Sequence, residues 1–108
     1  MAMVPANNIV SDFNSAFNDF LEAAVEDPRL GPLHVSLYVA ILHFYNAGNG
    51  LVPISVFGRQ LMKRAKISSH DTYHRYIREL HQYGYVHYIP SCNPWLGSLI
   101  YPLKLDRK

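Results

Sequence analysis

The stretch from Leu33 to Asn46 restricts the fold of this 108-residue chain more than any other segment. Its side chains are apolar on almost every side, and Leu37–Leu42 is an unbroken run of six apolar residues. Pro32 stands at the first helical position, which favours proline, and the glycines after Ala47 supply a helix end. A helix that lacks a polar face must be covered on all sides. We therefore expect this segment to be the central helix of one small domain.

The composition fits a single globular domain and argues against several other classes. Apolar residues make up 49% of the chain and charged residues 17%, which is not the composition of a disordered segment. Six consecutive apolar residues are too few to cross a bilayer, and Met1–Pro5 lacks the basic and apolar sections of a secretory signal. The lone Cys92 excludes an internal disulfide and a multi-cysteine metal site. We expect a cytoplasmic protein with no membrane association, bound metal or other cofactor.

The charges are separated along the chain. Residues 1–28 contain five acidic side chains and no Lys or Arg, whereas residues 29–108 contain ten Lys and Arg and three acidic residues. Six of these ten cations fall within residues 59–78, where Asp71 is the one acidic residue. Such a basic segment indicates a polyanionic partner, although a basic solvated face is also common on proteins that bind nothing.

A short acidic helix is predicted near the N-terminus, from a cap at Ser11 or Asp12 to the residues before Pro28. Its apolar face carries three phenylalanines, Phe13, Phe17 and Phe20. We expect this face to pack on the protein's own core, and a contact with a second copy in a homodimer is the alternative. The two acidic residues at its C-terminal end oppose the helix dipole, so this end should fray unless a basic side chain lies beside it.

Two closely spaced helices follow the central one. The third helix is predicted to begin after a cap at Ser55 and to bury four residues, Phe57, Leu61, Met62 and Ala65. The fourth is predicted to begin at Ser68 or Ser69 and to close at Gly84. Asp71 lies three residues after Ser68, so we expect the two to form a capping box, and an acceptor for a cytosine amino group is the alternative role of Asp71.

A β-hairpin is predicted after the fourth helix. Tyr85–Ile89 and Leu99–Tyr101 are rich in residues that favour strands, and they enclose a loop that is dense in turn residues. Pro102 has no amide hydrogen to donate, so it predicts an edge position for the second strand.

The residues from Ile54 to Ile89 carry a family resemblance. Leu61 and Ala65 match buried positions of a first helix, Ile67-Ser68 matches the step into a second, and Gly84-Tyr85-Val86 matches the exit into a hairpin. These positions resemble the winged helix-turn-helix family, and more narrowly its small members encoded on bacterial mobile elements. One departure is Lys66, which stands where many members have Gly in the turn.

The resemblance implies a mainly α fold with a small β-hairpin, in which residues 31–108 form the winged helix-turn-helix and residues 1–30 add an N-terminal acidic helix and linker. It also implies sequence-specific binding to double-stranded DNA by a transcriptional regulator or accessory factor of a mobile element. A replication-initiation accessory domain would belong to the same class. A winged helix that serves as a protein-interaction module is the alternative function, since a fold does not fix a function.

Helix geometry and the resemblance together suggest site residues on the recognition helix, about residues 69–83. At about 100° per residue, Tyr73, Ile77 and Leu80 share one face, and Arg75 and Arg78 lie on the other. Residues near the start of such a helix reach base edges in the major groove, whereas other basic residues contact phosphates. We therefore expect base readout by Ser69, His70, His74 and Arg75, and phosphate contacts by Arg59, Lys63, Arg64, Lys66 and Arg78.

The wing, about residues 85–103, is expected to carry Asn93 and Trp95 near its tip. An exposed indole is costly, so we expect Trp95 to pack back onto the base of the hairpin. Insertion toward the minor groove of DNA is the alternative.

Catalysis and metal binding are not indicated by the histidines. His70 and His74 are four residues apart, but no cluster of cysteines or carboxylates accompanies them to complete a metal site. No Ser or Cys nucleophile can be paired from sequence with any of the six histidines, so we expect no enzymatic activity.

Overall fold

Four α-helices and a three-stranded antiparallel sheet form the computed structural model, which describes residues 4–91, 93 and 95–105. The helices are α1 (Phe13–Glu26), α2 (Pro32–Ala47), α3 (Gly58–Ala65) and α4 (His70–Gln82), and a 3-10 turn (Ala6–Asn8) precedes them. The strands are β1 (Ile54–Val56), β2 (Val86–Ile89) and β3 (Ser98–Pro102), in the order β1-β3-β2. The protein is thus a mainly helical domain, as predicted, and its small sheet has three strands where a two-stranded hairpin was expected. Cys92 lies outside the described residues.

α2 is the central helix, as its apolar sequence predicts. Leu37, Tyr38 and Ile41 have no exposed surface, and α1, α3 and α4 all pack against this helix. Phe20 of α1 is buried and stacks on Tyr38 with 3.9 Å between ring centroids, and Phe13 and Phe17 pack against the same core while remaining partly exposed, so the face packs on the protein's own core as expected. Neither α2 nor any other helix among the described residues is long and apolar enough to cross a membrane.

Both ends of α1 are held by polar side chains. The Ser15 amide donates to Oδ1 of Asp12 at 2.8 Å, so Asp12 is the cap. At the other end, Arg29 donates from Nε and Nη2 to the two carboxylate oxygens of Asp27, at 2.9 and 2.8 Å. The Tyr85 hydroxyl donates to the same carboxylate at 2.7 Å. The hydrogen bond from Arg29 is the main reason that the pKa of Asp27 lies well below its ordinary value, and burial opposes this shift.

β1 is an element that sequence reasoning missed. The prediction that Ser55 caps the third helix is wrong, because Ser55 lies in β1 opposite Leu99 of β3. The cap lies two residues later, at the half-exposed Phe57, which is therefore not part of the buried face, and the helix begins at Gly58. A strand of three residues has no local sequence signature. β1 is extended because it pairs with β3, which lies near the other end of the chain.

The prediction that Pro102 marks an edge strand is also wrong, because β3 is the central strand. Pro102 faces Val86 of β2 in a pair that exchanges no hydrogen bonds, since the Leu103 amide donates to the Tyr85 carbonyl instead. On its other side β1 has ended, and the carbonyl of Pro102 accepts from the Val10 amide at 3.0 Å. A central strand therefore tolerates proline at this position, since no neighbour requires its missing amide hydrogen.

Candidate nucleic-acid interface

The turn between α3 and α4 consists of four residues and has a left-handed backbone at Lys66, with φ of +63°. The Ile67 amide donates to the Met62 carbonyl at 2.9 Å, and the Ile67 side chain is buried. A residue other than glycine is disfavoured in the left-handed region. This conformation explains why glycine would suit the position of Lys66, and it holds the two helices close together.

α4 begins one residue later than a cap at Ser68 would place it. The Thr72 amide donates to Oγ of Ser69 at 3.3 Å, so Ser69 is the cap and the predicted capping box between Ser68 and Asp71 is wrong. Asp71 instead lies exposed in the first turn, where a negative charge is favourable to the helix dipole.

The two faces of α4 agree with the geometric prediction. Tyr73, Ile77 and Leu80 are buried at 2% exposure or less. The residues predicted to lie on the opposite face, Asp71, Arg75, Arg78 and Gln82, are all exposed. The residues proposed for base readout, Ser69, His70, His74 and Arg75, are exposed as well and belong to the cap and the first two turns. The start of α4 therefore presents a continuous polar surface.

A basic groove lies between α3 and the start of α4. Its volume is about 420 Å³, and its floor includes Met62 and Ile67. Four basic side chains line it, Arg59, Lys63, Lys66 and His70. Three residues predicted to contact phosphates and one predicted to contact bases are thus brought together.

The other two residues predicted to contact phosphates lie apart from this basic groove. The Arg64 guanidinium lies 4.8 Å from the ring centroid of Phe44, on the side of α3 that meets α2. Arg78 is exposed two turns along α4 from His70 and belongs to its outer face.

A hydrogen-bonded chain that sequence reasoning missed connects α2 to the exposed face of α4. The Gly31 amide donates to Nδ1 of His34 at 2.9 Å, so this imidazole carries its proton on Nε2, which lies 2.7 Å from Oε1 of Glu79. Arg75 donates from Nε to Oε2 of Glu79 at 3.3 Å. His34 is 3% exposed, and it was detectable in the sequence only as a polar residue in an apolar helix.

The carboxylate of Glu79 remains ionised in this environment. Burial acts to raise its pKa, but the hydrogen bonds from His34 and Arg75 outweigh burial, and the pKa is lowered from its ordinary value. Glu79 is therefore a fixed negative charge between a buried imidazole and an exposed guanidinium.

The hairpin tip differs from the prediction. Trp95 is 85% exposed instead of packing on the base of the hairpin, and Leu96 beside it is 61% exposed. The Trp95 amide donates to Oδ1 of Asn93 at 2.9 Å, and the Leu96 amide donates to the Asn93 carbonyl at 3.0 Å. These local bonds close a turn around Asn93, which leaves the indole outside and a groove at the base, lined in part by Ile89 and Leu99.

In the described parts of the chain, no group of three or more His, Cys, Asp or Glu residues is placed to hold a metal ion. Comparisons of the chain with protein-family models, with curated proteins and with solved structures gave no match. The functional conclusion therefore rests on the geometry of α3, α4 and the hairpin.

Proposed function

We propose that the protein is a winged helix-turn-helix protein that binds double-stranded DNA in a sequence-specific manner, with α4 in the major groove. The observation that carries this proposal is the surface of α3 and α4, where exposed polar side chains at the start of α4 adjoin the basic groove. The order of α3, turn, α4 and hairpin supports the same conclusion. The family resemblance extends the proposal to a regulator or accessory factor of a bacterial mobile element.

The exposed face of α4 has the dimensions and the chemistry for base recognition. An α-helix fits the major groove, and the 13 residues of α4 span about 20 Å. Arg75 carries hydrogen-bond donors that match guanine, and His70, His74 and Ser69 add donors and acceptors within the first two turns. Residues in this part of a recognition helix are the ones that reach base edges.

The basic groove fits the path of a DNA backbone. Arg59, Lys63 and Lys66 place three positive charges beside the N-terminus of α4. A helix N-terminus itself favours a phosphate through its free amides and its dipole. These contacts would fix the orientation of α4 on the duplex without reading its sequence. The acidic side chains of α1 belong to a helix that packs against α2, and they do not line the groove.

Removal of one groove charge tests the proposal. Binding of a labelled random-sequence duplex is measured by fluorescence anisotropy for the wild-type protein, Lys63→Ala and Lys104→Ala. Lys104 is an exposed lysine after β3 that does not line the groove, so its variant removes the same charge from another place. We expect Lys63→Ala to weaken binding and to reduce the salt slope by about 1, while Lys104→Ala leaves the slope unchanged. Equal effects of the two substitutions would contradict the proposal.

A further inference from the structure

Arg75 is held on two sides while its side chain remains 68% exposed. Its Nε donates to Oε2 of Glu79 at 3.3 Å, and its guanidinium carbon lies 5.3 Å from the ring centroid of Tyr76. An exposed arginine without such contacts samples many rotamers and loses that freedom when it binds a ligand. The contacts of Arg75 reduce this loss before any ligand arrives.

The contact with Glu79 leaves the recognition end of the guanidinium free. A guanidinium has five N–H donors, of which Nε supplies one and the two terminal nitrogens supply four. Of the Arg75 donors, Glu79 accepts from Nε alone, so the two terminal nitrogens stay available for a bidentate contact with O6 and N7 of guanine. Arg29 provides a contrast, because its Nε and Nη2 are both used by Asp27.

Glu79 is itself fixed from inside the domain. Surface ion pairs are weak because both side chains must give up their freedom to form them. The side chain of Glu79 is only 21% exposed, and its carboxylate accepts from the buried His34, whose other ring nitrogen accepts from the Gly31 amide. Arg75 therefore pairs with a carboxylate that is already ordered.

We infer that Glu79, anchored by His34, is a positioning residue that orients Arg75 to read a guanine in the major groove. This inference rests on the proposed DNA binding and adds to it a specific base and the residues that set its recognition. Glu79 contacts no base in this arrangement and acts through Arg75 alone. A purely structural role for the pair would instead affect folding and the binding of every duplex.

Base preference separates these two roles. A preferred duplex is obtained by selection from a random library, and affinities are measured for it and for versions with each guanine replaced. Arg75→Ala is expected to reduce discrimination at one guanine position by about 5- to 150-fold. Glu79→Gln is expected to reduce discrimination at the same position by about 3-fold or more, because the Gln amide that faces Arg75 no longer offers a charged acceptor. Its affinity for random duplex should stay equal or rise, since a negative charge near the DNA is removed.

The double variant decides whether Glu79 acts through Arg75. Once Arg75 is alanine, the added Glu79→Gln substitution should change discrimination at that position no further. Arg78→Ala removes a neighbouring exposed arginine that is expected to contact phosphate, so as the matched control it should weaken binding to all duplexes alike and leave discrimination at that position intact. Glu79→Asp keeps the charge but is one methylene too short to reach both His34 and Arg75, so it should also reduce discrimination. This second variant replaces Glu79→Gln in the test if Glu79→Gln fails to fold.

The contradicting results differ for the two proposals. The inference would be overturned if the double variant lost discrimination by the product of the two single losses, those of Arg75→Ala and Glu79→Gln. It would also be overturned if Arg75→Ala kept its discrimination for guanine. In both cases binding to random duplex would persist, and the proposed function would stand. A wild-type protein that binds no duplex at low salt would overturn both.

Discussion

The hydroxyl of Tyr85 donates a hydrogen bond of 2.7 Å to the carboxylate of Asp27, which joins the end of the N-terminal helix to the entrance of the hairpin. Arg29 completes this link by pairing with Asp27 and lying 4.2 Å from the ring centroid of Tyr83. Burial and the hydrogen bond to Asp27 raise the pKa of Tyr85 to about 12. These two residues are 58 positions apart in the sequence, so their hydrogen bond ties the end of α1 to the rest of the fold.

The lowered pKa of Asp27 predicts a pH-dependent contribution to stability. A carboxyl with a lowered folded-state pKa stabilises the protein above its unfolded-state pKa of about 4, and this contribution disappears as the pH falls through the folded-state value. We expect Asp27→Asn to be less stable than the wild-type protein at pH 7, and the difference to shrink below pH 4. Urea unfolding at several pH values measures this difference. Glu22→Gln, which removes an exposed carboxylate of the same helix, is the control, and an equal loss in both variants would contradict the prediction.

Gly97 is predicted to be required for the close approach of β3 to β1. A Cβ at this position would lie 2.8 Å from the backbone carbon and oxygen of Val56 in β1, so the strands would have to separate. We expect Gly97→Ala to lower the free energy of unfolding by about 1–3 kcal/mol, a typical cost of overpacking. Thermal or urea denaturation measures the loss. Gly48→Ala is the control, because the nearest atom to its added Cβ would lie at 3.4 Å, an ordinary contact distance. Equal free energies of unfolding for the two variants would contradict the prediction and would show that β1 and β3 can move apart at little cost.

The helices could be predicted from the sequence because their signals are local. The apolar residues of α2 and the alternating faces of α4 lie within single segments, and Asp12 and Ser69 are caps of the expected kind. Which side chains of such a helix are buried follows from the spacing of its apolar residues and from its composition, and both can be read within one segment. Both helices therefore agree with the predictions to within one or two residues.

Two of the missed features, β1 and the contact of His34 with Glu79, depend on partners from distant segments, whereas the exposure of Trp95 has a local cause. β1 forms because Ile54 and Val56 face Ile100 and Ser98 of β3, and three residues carry too little pattern to reveal this. His34 meets Glu79 through the packing of α2 on α4, for which neither helix has a sequence signal. The exposed Trp95 follows from a turn closed by Asn93, where local hydrogen bonds override the expected burial of an indole.

Lys66→Gly is predicted to separate stability from DNA binding. Glycine adopts the φ of +63° at this position without strain, so we expect the free energy of unfolding to rise by about 1 kcal/mol. Because Lys66 lines the basic groove, affinity for duplex DNA should fall in the same variant. Denaturation and anisotropy titration measure the two effects. Lys63→Ala should lower affinity without the gain in stability, and a Lys66→Gly variant that binds as well as wild type would remove Lys66 from the interface.

Trp95→Ala is predicted to weaken DNA binding without affecting the fold. The indole is 85% exposed, so its loss should change stability by less than about 0.5 kcal/mol. Its position at the hairpin tip suits contact with the minor groove or a sugar beside the site of α4. Leu51→Ala is the matched control, because Leu51 is 76% exposed and precedes β1, at the end of the sheet away from the tip. Unchanged DNA affinity in Trp95→Ala would favour a protein partner for this tip.

The salt dependence of duplex binding tests DNA recognition by α3 and α4 most directly. If Arg59, Lys63 and Lys66 each neutralise one phosphate, the logarithm of the association constant should fall against the logarithm of salt concentration with a slope of about −2.7 or steeper. Affinity of the wild-type protein for a random duplex would then drop by about 40-fold or more between 50 and 200 mM salt. An affinity that does not change over this range, or no binding at 50 mM, would contradict the assignment of this surface to DNA.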